Sequence, residues 1–142
     1  MANHGETDID KLIAGMKPKL NEGDYVFCLV SNDSEIYNSK ISRKDILMEF
    51  KETEGITLIL KKNVADKYAD DGLRYEYVAA WLTLEIHSAL EAVGLTAAVS
   101  KTLAEANISA NVIAAFHHDH IFVDKKDGEK ANLILKKLAD GK

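Results

Sequence analysis

From Tyr75 to His87 the chain alternates, and just beyond it the pattern changes. Val78, Ala80, Leu82, Leu84 and Ile86 fall on one side of an extended segment, and Tyr77, Trp81, Thr83, Glu85 and His87 fall on the other. Within residues 94–107, Leu95, Val99, Leu103 and Ala106 recur at i, i+4, i+8 and i+11, one continuous helical stripe. A strand period that gives way to a helix period across one loop calls for a helix folded back over the strand's apolar side. The strand's other side is mixed and faces water or a partner.

The remaining elements of the second half complete this pattern. Residues 111–116 and 121–123 read as two strands joined by a tight turn near His118-Asp119. Asp124 or Asp127 caps a last helix whose stripe is Ala131, Ile134, Leu135 and Leu138, with Gly141 just past its end. The order strand, helix, strand, strand, helix is that of a split βαβ, ferredoxin-like domain lacking its final strand.

The first half reads as a degenerate relative of the second. Thr7 caps a helix carrying Ile9, Leu12, Ile13 and Met16, with Asp10 reaching back as in a capping box, and Pro18 ends it. Residues 25–30 form a strand, and residues 31–41 form a polar loop. Ser42 and Asp45 repeat the capping spacing ahead of Ile46, Leu47 and Phe50, which predicts a short amphipathic helix stopping at Gly55. A buried strand over 56–60 and a helical turn over 63–68 follow, closed by Asp70-Asp71-Gly72. This half is expected to donate a strand to the second. The expected fold is α+β, an antiparallel sheet with helices on one face, in two pseudo-repeated, closely packed halves (residues 1–72 and 73–142).

Composition excludes several function classes. The net charge is −5, and the 18 basic residues are scattered, with Lys61-Lys62 and Lys136-Lys137 read as the densest clusters, each a short solvated face. Nucleic-acid binding, which draws on a basic patch, is therefore not expected. A single cysteine, Cys28, sits in an apolar run, where it forms no internal disulfide and reads as a small core residue. No apolar stretch approaches the ~18–20 residues of a membrane span, so a cytoplasmic protein is expected. Gly23, Gly55 and Gly72 are isolated turn glycines, not a phosphate loop, and no serine-centred nucleophile elbow appears. Neither a cofactor nor a catalytic residue is expected.

Two places carry binding chemistry. In the loop from His87 to Thr96, Gly94 permits a positive φ and close backbone approach to a ligand. The first N–H groups of the helix, near Leu95 and Thr96, lack intrahelical partners and suit a carboxylate such as that of an amino acid. His87, Ser88 and Thr96 add hydrogen-bonding side chains, and Glu91 can meet an α-amino group. Val93 belongs to the same loop, and Asn111 and Val112 open the neighbouring strand. The plainer reading gives Gly94 only to the turn. The second place is His117-His118-Asp119-His120. Histidine ligates transition metals, so a metal-binding protein or metal-dependent enzyme is the alternative function. An extended strand pairs only His118 and His120 on one face, short of a usual zinc set. A structural interaction domain without a small ligand is a third reading. The mixed strand face and the incomplete sheet edge favour a homodimer.

The stretch 85–109, EIHSALEAVGLTAAVSKTLAEANIS, resembles the ACT domain pattern, with Gly94-Leu95, Val99, Leu103, Ala104, Ala106 and Ile108 at the corresponding places. Three blocks, EGITLIL at 54–60, HSALEAVGLTAAVS at 87–100 and HHDHIFV at 117–123, resemble small bacterial proteins built from two ACT-like halves. The resemblance implies a regulatory fold. ACT domains commonly bind amino acids at the loop after the first strand, often across a subunit interface, and the ligand adjusts an enzyme. Without a catalytic domain attached, the enzyme regulated here is expected to be a separate protein.

Overall fold

The structure, a computed structural model, describes residues 8–85 and 94–142. Its elements in chain order are α1 (Ile9–Gly15), β1 (Lys17–Leu20), β2 (Tyr25–Val30), β3 (Ile46–Lys51), β4 (Ile56–Lys61), α2 (Lys62–Asp66), β5 (Val78–Glu85), α3 (Leu95–Glu105), β6 (Ala110–Ala114), β7 (Asp119–Asp124) and α4 (Gly128–Ala139). A single π turn occupies Ile36–Lys40, and 3-10 turns occupy Arg43–Asp45, Ala69–Asp71 and Lys125–Asp127. Contacts divide the chain into two compact units, residues 23–79 and residues 1–22 with 80–142. The chain passes from one unit to the other inside β5.

The unit of residues 80–142 takes its missing strand from the N-terminus. β1 runs antiparallel to β5, from Lys17 opposite Glu85 to Leu20 opposite Leu82. β7 lies on the other side of β5, and β6 lies beyond it, pairing from Ala110 opposite Val123 to Ala114 opposite Asp119. The alternation read from the sequence holds from Ala80 to Glu85, Val78 packs in the core of the other unit, and Ile86 and His87 lie outside the described residues. Ala80, Leu82 and Leu84 enter a core with Leu95, Val99 and Leu103 of α3, Ile121 and Val123 of β7, Ala131 and Leu135 of α4, and Leu12 of α1. Asp8 caps α1, its Oδ1 accepting from the Asp10 and Lys11 amides at 3.0 and 3.3 Å. Thr7, the expected cap, lies outside the described residues. Helix α1 ends at Gly15, and Pro18 sits inside β1 opposite Leu84. The turn between β6 and β7 falls at residues 115–118, where the Ala115 amide donates to the His118 carbonyl at 3.0 Å. Asp119, expected in that turn, already belongs to β7. Asp124 caps the 3-10 turn before α4 by accepting from the Lys126 amide, and Asp127 stands at the start of α4 without a side-chain bond.

The unit of residues 23–79 places β4 between β3 and β2, and Tyr25 and Val26 of β2 pair with Ala79 and Val78. Val26, Cys28 and Val30 pack with Ile56, Leu58 and Leu60, and Ile36, Ala65 and Leu73 cover them. Here one expectation is corrected: Ile46–Lys51 is a strand, not a helix. The cause is tertiary. Glu52 and Gly55 exchange backbone hydrogen bonds of 2.8 and 3.3 Å across a tight turn, which folds residues 46–51 back along β4. A bulge at Leu47 reconciles the spacing of Ile46, Leu47 and Phe50 with a ladder. Gly55 fits because its φ is +153° and a Cβ there would lie 2.6 Å from the Val30 carbonyl oxygen.

Candidate functional site

In the unit of residues 23–79 the first strand, β2, runs into a loop and then a π turn. That loop builds a cavity of about 330 Å³. Ser34 organises it, its Oγ accepting from the Tyr37 amide at 3.4 Å and its carbonyl from the Asn38 amide at 2.9 Å. The Asn38 side chain donates to the Asn32 carbonyl at 3.1 Å and pins the opposite limb of the loop. The π turn is anchored by Ile36, which is buried among Val30 and Leu73.

Val30, Ile36 and Leu73 form the apolar floor of this cavity, and Ser31, Ser34, Glu35, Lys40 and Asp71 supply its polar wall. Lys40 Nζ donates to Asp71 Oδ1 at 2.8 Å, tying the π turn to the 3-10 turn that ends at Gly72. That bond pushes the Lys40 ammonium up from its ordinary value, and the nearby charge of Glu35 adds to the effect. The wall thus offers two carboxylates, one ammonium and two hydroxyls over a space suited to a small polar molecule. Sequence reading assigned residues 31–41 only to a loop. The available signal was the loop's place directly after the first strand of its unit.

The site expected in the second half is partly outside the described residues, which hold none of His87, Ser88, Glu91 or Val93. Gly94 stands at the start of α3 with φ +100°, a left-handed value that favours glycine. Thr96 is exposed beside it. Leu95 is buried in the core, and Val112 packs against the same core. Asn111, opposite Phe122, is exposed and points to the other face of the sheet.

The histidine run does not gather into a metal centre. Among the described residues no group of three or more His, Cys, Asp or Glu side chains stands close enough to hold a metal ion. His117 and His118 lie at the β6–β7 turn with ring centroids 6.2 Å apart. His120 is drawn instead into a network on the sheet face away from the helices. Trp81 Nε1 donates to His120 Nδ1 at 3.0 Å, and Thr83 Oγ1 lies 3.2 Å from the same nitrogen. Asn21 Nδ2 donates to Thr83 Oγ1 at 2.9 Å and to the Trp81 carbonyl at 3.2 Å. The indole only donates, so Nδ1 carries the lone pair and the neutral ring keeps its proton on Nε2. Burial pushes His120 below the usual histidine range, His118 pushes it further, and Asp119 opposes them.

The two split βαβ units define the class of the molecule, an antiparallel ferredoxin-like fold repeated within one chain. The ACT domain pattern matches twice, over residues 4–80 and over residues 76–137. The chain belongs to the ACT domain family. It is 43% identical to a Vibrio cholerae protein of unknown function, described as a possible transport protein, over 92% of this chain and 94% of that one, with a TM-score of 0.76. The regulatory subunit of aspartate kinase from Thermus flavus shares the fold at 9% identity and a TM-score of 0.63, covering 86% of this chain and 96% of its own. Clostridium acetobutylicum aspartate kinase shares it at 13% identity and a TM-score of 0.64, over 90% of this chain and 35% of the enzyme. No curated protein matches the sequence. No helix among the described residues is long and apolar enough to cross a membrane.

Proposed function

We propose that this chain is a cytoplasmic, non-catalytic regulatory module that binds an amino acid and, as a homodimer, adjusts a separate enzyme. The observation that carries the reading is the cavity after β2, where an apolar floor meets Ser31, Ser34, Glu35, Lys40 and Asp71. Its volume of about 330 Å³ suits a molecule of amino-acid size. Lys40 is engaged with Asp71, which leaves the Glu35 carboxylate for an α-ammonium group, while the Ser34 hydroxyl, which only accepts from the Tyr37 amide, donates to the ligand's carboxylate; the Ser31 hydroxyl is committed to Asp33 at 2.8 Å. Membership of the ACT domain family supports a regulatory role over a catalytic one, and a buried free thiol at Cys28 fits a reducing compartment.

Residues 87–96 form the second proposed site, favoured by the left-handed Gly94 at the head of α3. One thermal-shift screen of the twenty amino acids tests both. A ligand at about 100 times its Kd stabilises by about 2.7 kcal/mol, which raises Tm by several degrees. Glu35→Ala removes the shift if the ligand sits in the cavity after β2, and Gly94→Val removes it if the ligand sits at α3. No shift with any amino acid contradicts the reading.

A further inference from the structure

Two turns of the cavity after β2 meet at Lys40. Its ammonium donates to Asp71 of the 3-10 turn at 2.8 Å, and its carbonyl accepts from the Tyr68 hydroxyl at 3.3 Å. Among the described residues that line the cavity Lys40 is the one cation, and the charges of Asp71 and Glu35 both act on it. The side chains of the ion pair are 41% and 37% exposed, so the pair is weak and readily exchanged. The turn that carries Asp71 is lightly held. The Asp71 and Leu73 amides donate to the Tyr68 carbonyl at 3.0 and 3.1 Å, and the Gly72 amide donates to the Ala69 carbonyl at 3.0 Å. Arg74 Nη1 adds one bond to the Ala69 carbonyl at 3.0 Å. A Cβ at Gly72 would meet no atom within 4 Å, so the turn has open space at its end.

We infer that the Lys40–Asp71 ion pair is a latch that a bound amino acid opens, its carboxylate taking Lys40 and releasing the turn of Ala69–Asp71. This deepens the amino-acid reading above and rests on it. Charge balance drives the exchange. Without ligand the wall has one ammonium for two carboxylates, so Asp71 holds Lys40 and Glu35 is left over. A zwitterion adds one charge of each sign. Its ammonium goes to Glu35, its carboxylate goes to the Ser34 hydroxyl and to Lys40, and Asp71 becomes the carboxylate left over. Two carboxylates on one exposed ammonium repel each other. Asp71 is the one that leaves, because it rides on a turn with open space at Gly72, whereas the ligand is also held by Ser34 and Glu35. The ligand thus gains Lys40 only in the open state, which is the differential affinity a population shift requires. The turn runs straight into Leu73, 5% exposed on the cavity floor, so occupancy of the cavity is passed to the backbone of residues 69–73.

The two halves of the ion pair then respond with opposite sign, which a shared structural role would not produce. Calorimetric titration of the full chain uses as its probe the amino acid that gives the largest thermal shift among the twenty. Asp71→Asn removes the competitor for Lys40 and is expected to bind the probe roughly twofold to fivefold more tightly. Lys40→Met removes the carboxylate's anchor and is expected to bind it roughly tenfold or more weakly. Hydrogen exchange at the Asp71, Gly72 and Leu73 amides reads the latch itself. In wild type it is expected to speed up when the probe is added, and in Asp71→Asn it is expected to be fast already without the probe. An Asp71→Asn variant that binds more weakly than wild type overturns the latch and leaves amino-acid binding standing. So does exchange that stays at the ligand-free wild-type rate in either experiment. Binding of none of the twenty amino acids overturns both.

Discussion

Gly128 is the first residue of α4, and its backbone is helical, with φ −56° and ψ −53°. By propensity alone, Gly128→Ala gains up to about 1 kcal/mol, and less in a first turn. The packing argues the other way. A Cβ at Gly128 would lie 2.7 Å from the Ala80 Cβ of β5 and 3.4 Å from a Leu20 methyl of β1. Carbon atoms rest at about 3.5–4.0 Å, and neither the Ala80 methyl nor the strand behind it can rotate away. The start of α4 must lift by nearly an ångström, loosening Ala131 and Leu135, both fully buried. Overpacking of this kind costs about 1–3 kcal/mol. The net expectation is a loss of about 1–2 kcal/mol, or a fall of roughly 3–10 °C in Tm, read by thermal unfolding followed by circular dichroism. Ala80→Gly removes the opposing methyl, so the double variant is expected to be less destabilised than the sum of the two singles, with a coupling of roughly 1 kcal/mol or more. A Gly128→Ala variant that melts at or above wild type refutes the reasoning.

Two further outcomes follow from the geometry. Trp81 is the chain's one tryptophan and donates to His120 Nδ1, so its fluorescence is expected to report the titration of His120. Burial lowers that histidine in the folded state, so the unfolded chain takes up the proton first and stability falls as pH drops below about 6.5. His120→Gln is expected to remove the fluorescence titration, and an unchanged pH profile in that variant contradicts the network. Gly55→Ala forces a Cβ to within 2.6 Å of the Val30 carbonyl at a left-handed φ. It is expected to cost more than about 2 kcal/mol in urea unfolding, and a loss below 0.5 kcal/mol contradicts the hairpin.

The second half was legible because its signals are local and redundant. The alternation through Ala80, Leu82 and Leu84 and the stripe from Leu95 to Ala106 each name a buried face, and both faces meet in one core. The missing final strand was legible as an absence, and β1 fills it. The stretch 46–51 was misread because a bulged strand and a short helix present the same apolar spacing. The deciding contact, Gly55 beneath the Val30 carbonyl, joins residues far apart in sequence. The same limit hid the network of Asn21, Trp81, Thr83 and His120, which only strand register assembles. The cavity after β2 was illegible residue by residue, since serines and charges in a polar loop look like any solvated turn. Asp71 becomes part of its wall only when the fold brings it to Lys40.

The proposed function turns on an amino acid bound in the cavity after β2. Isothermal titration calorimetry of the protein, unfolded and refolded to strip any carried ligand, measures it directly. The expected result is saturable binding of at least one amino acid at one site per chain, lost in Glu35→Ala while the variant keeps its fold. No saturable heat with any of the twenty, or full binding retained in Glu35→Ala, would contradict it.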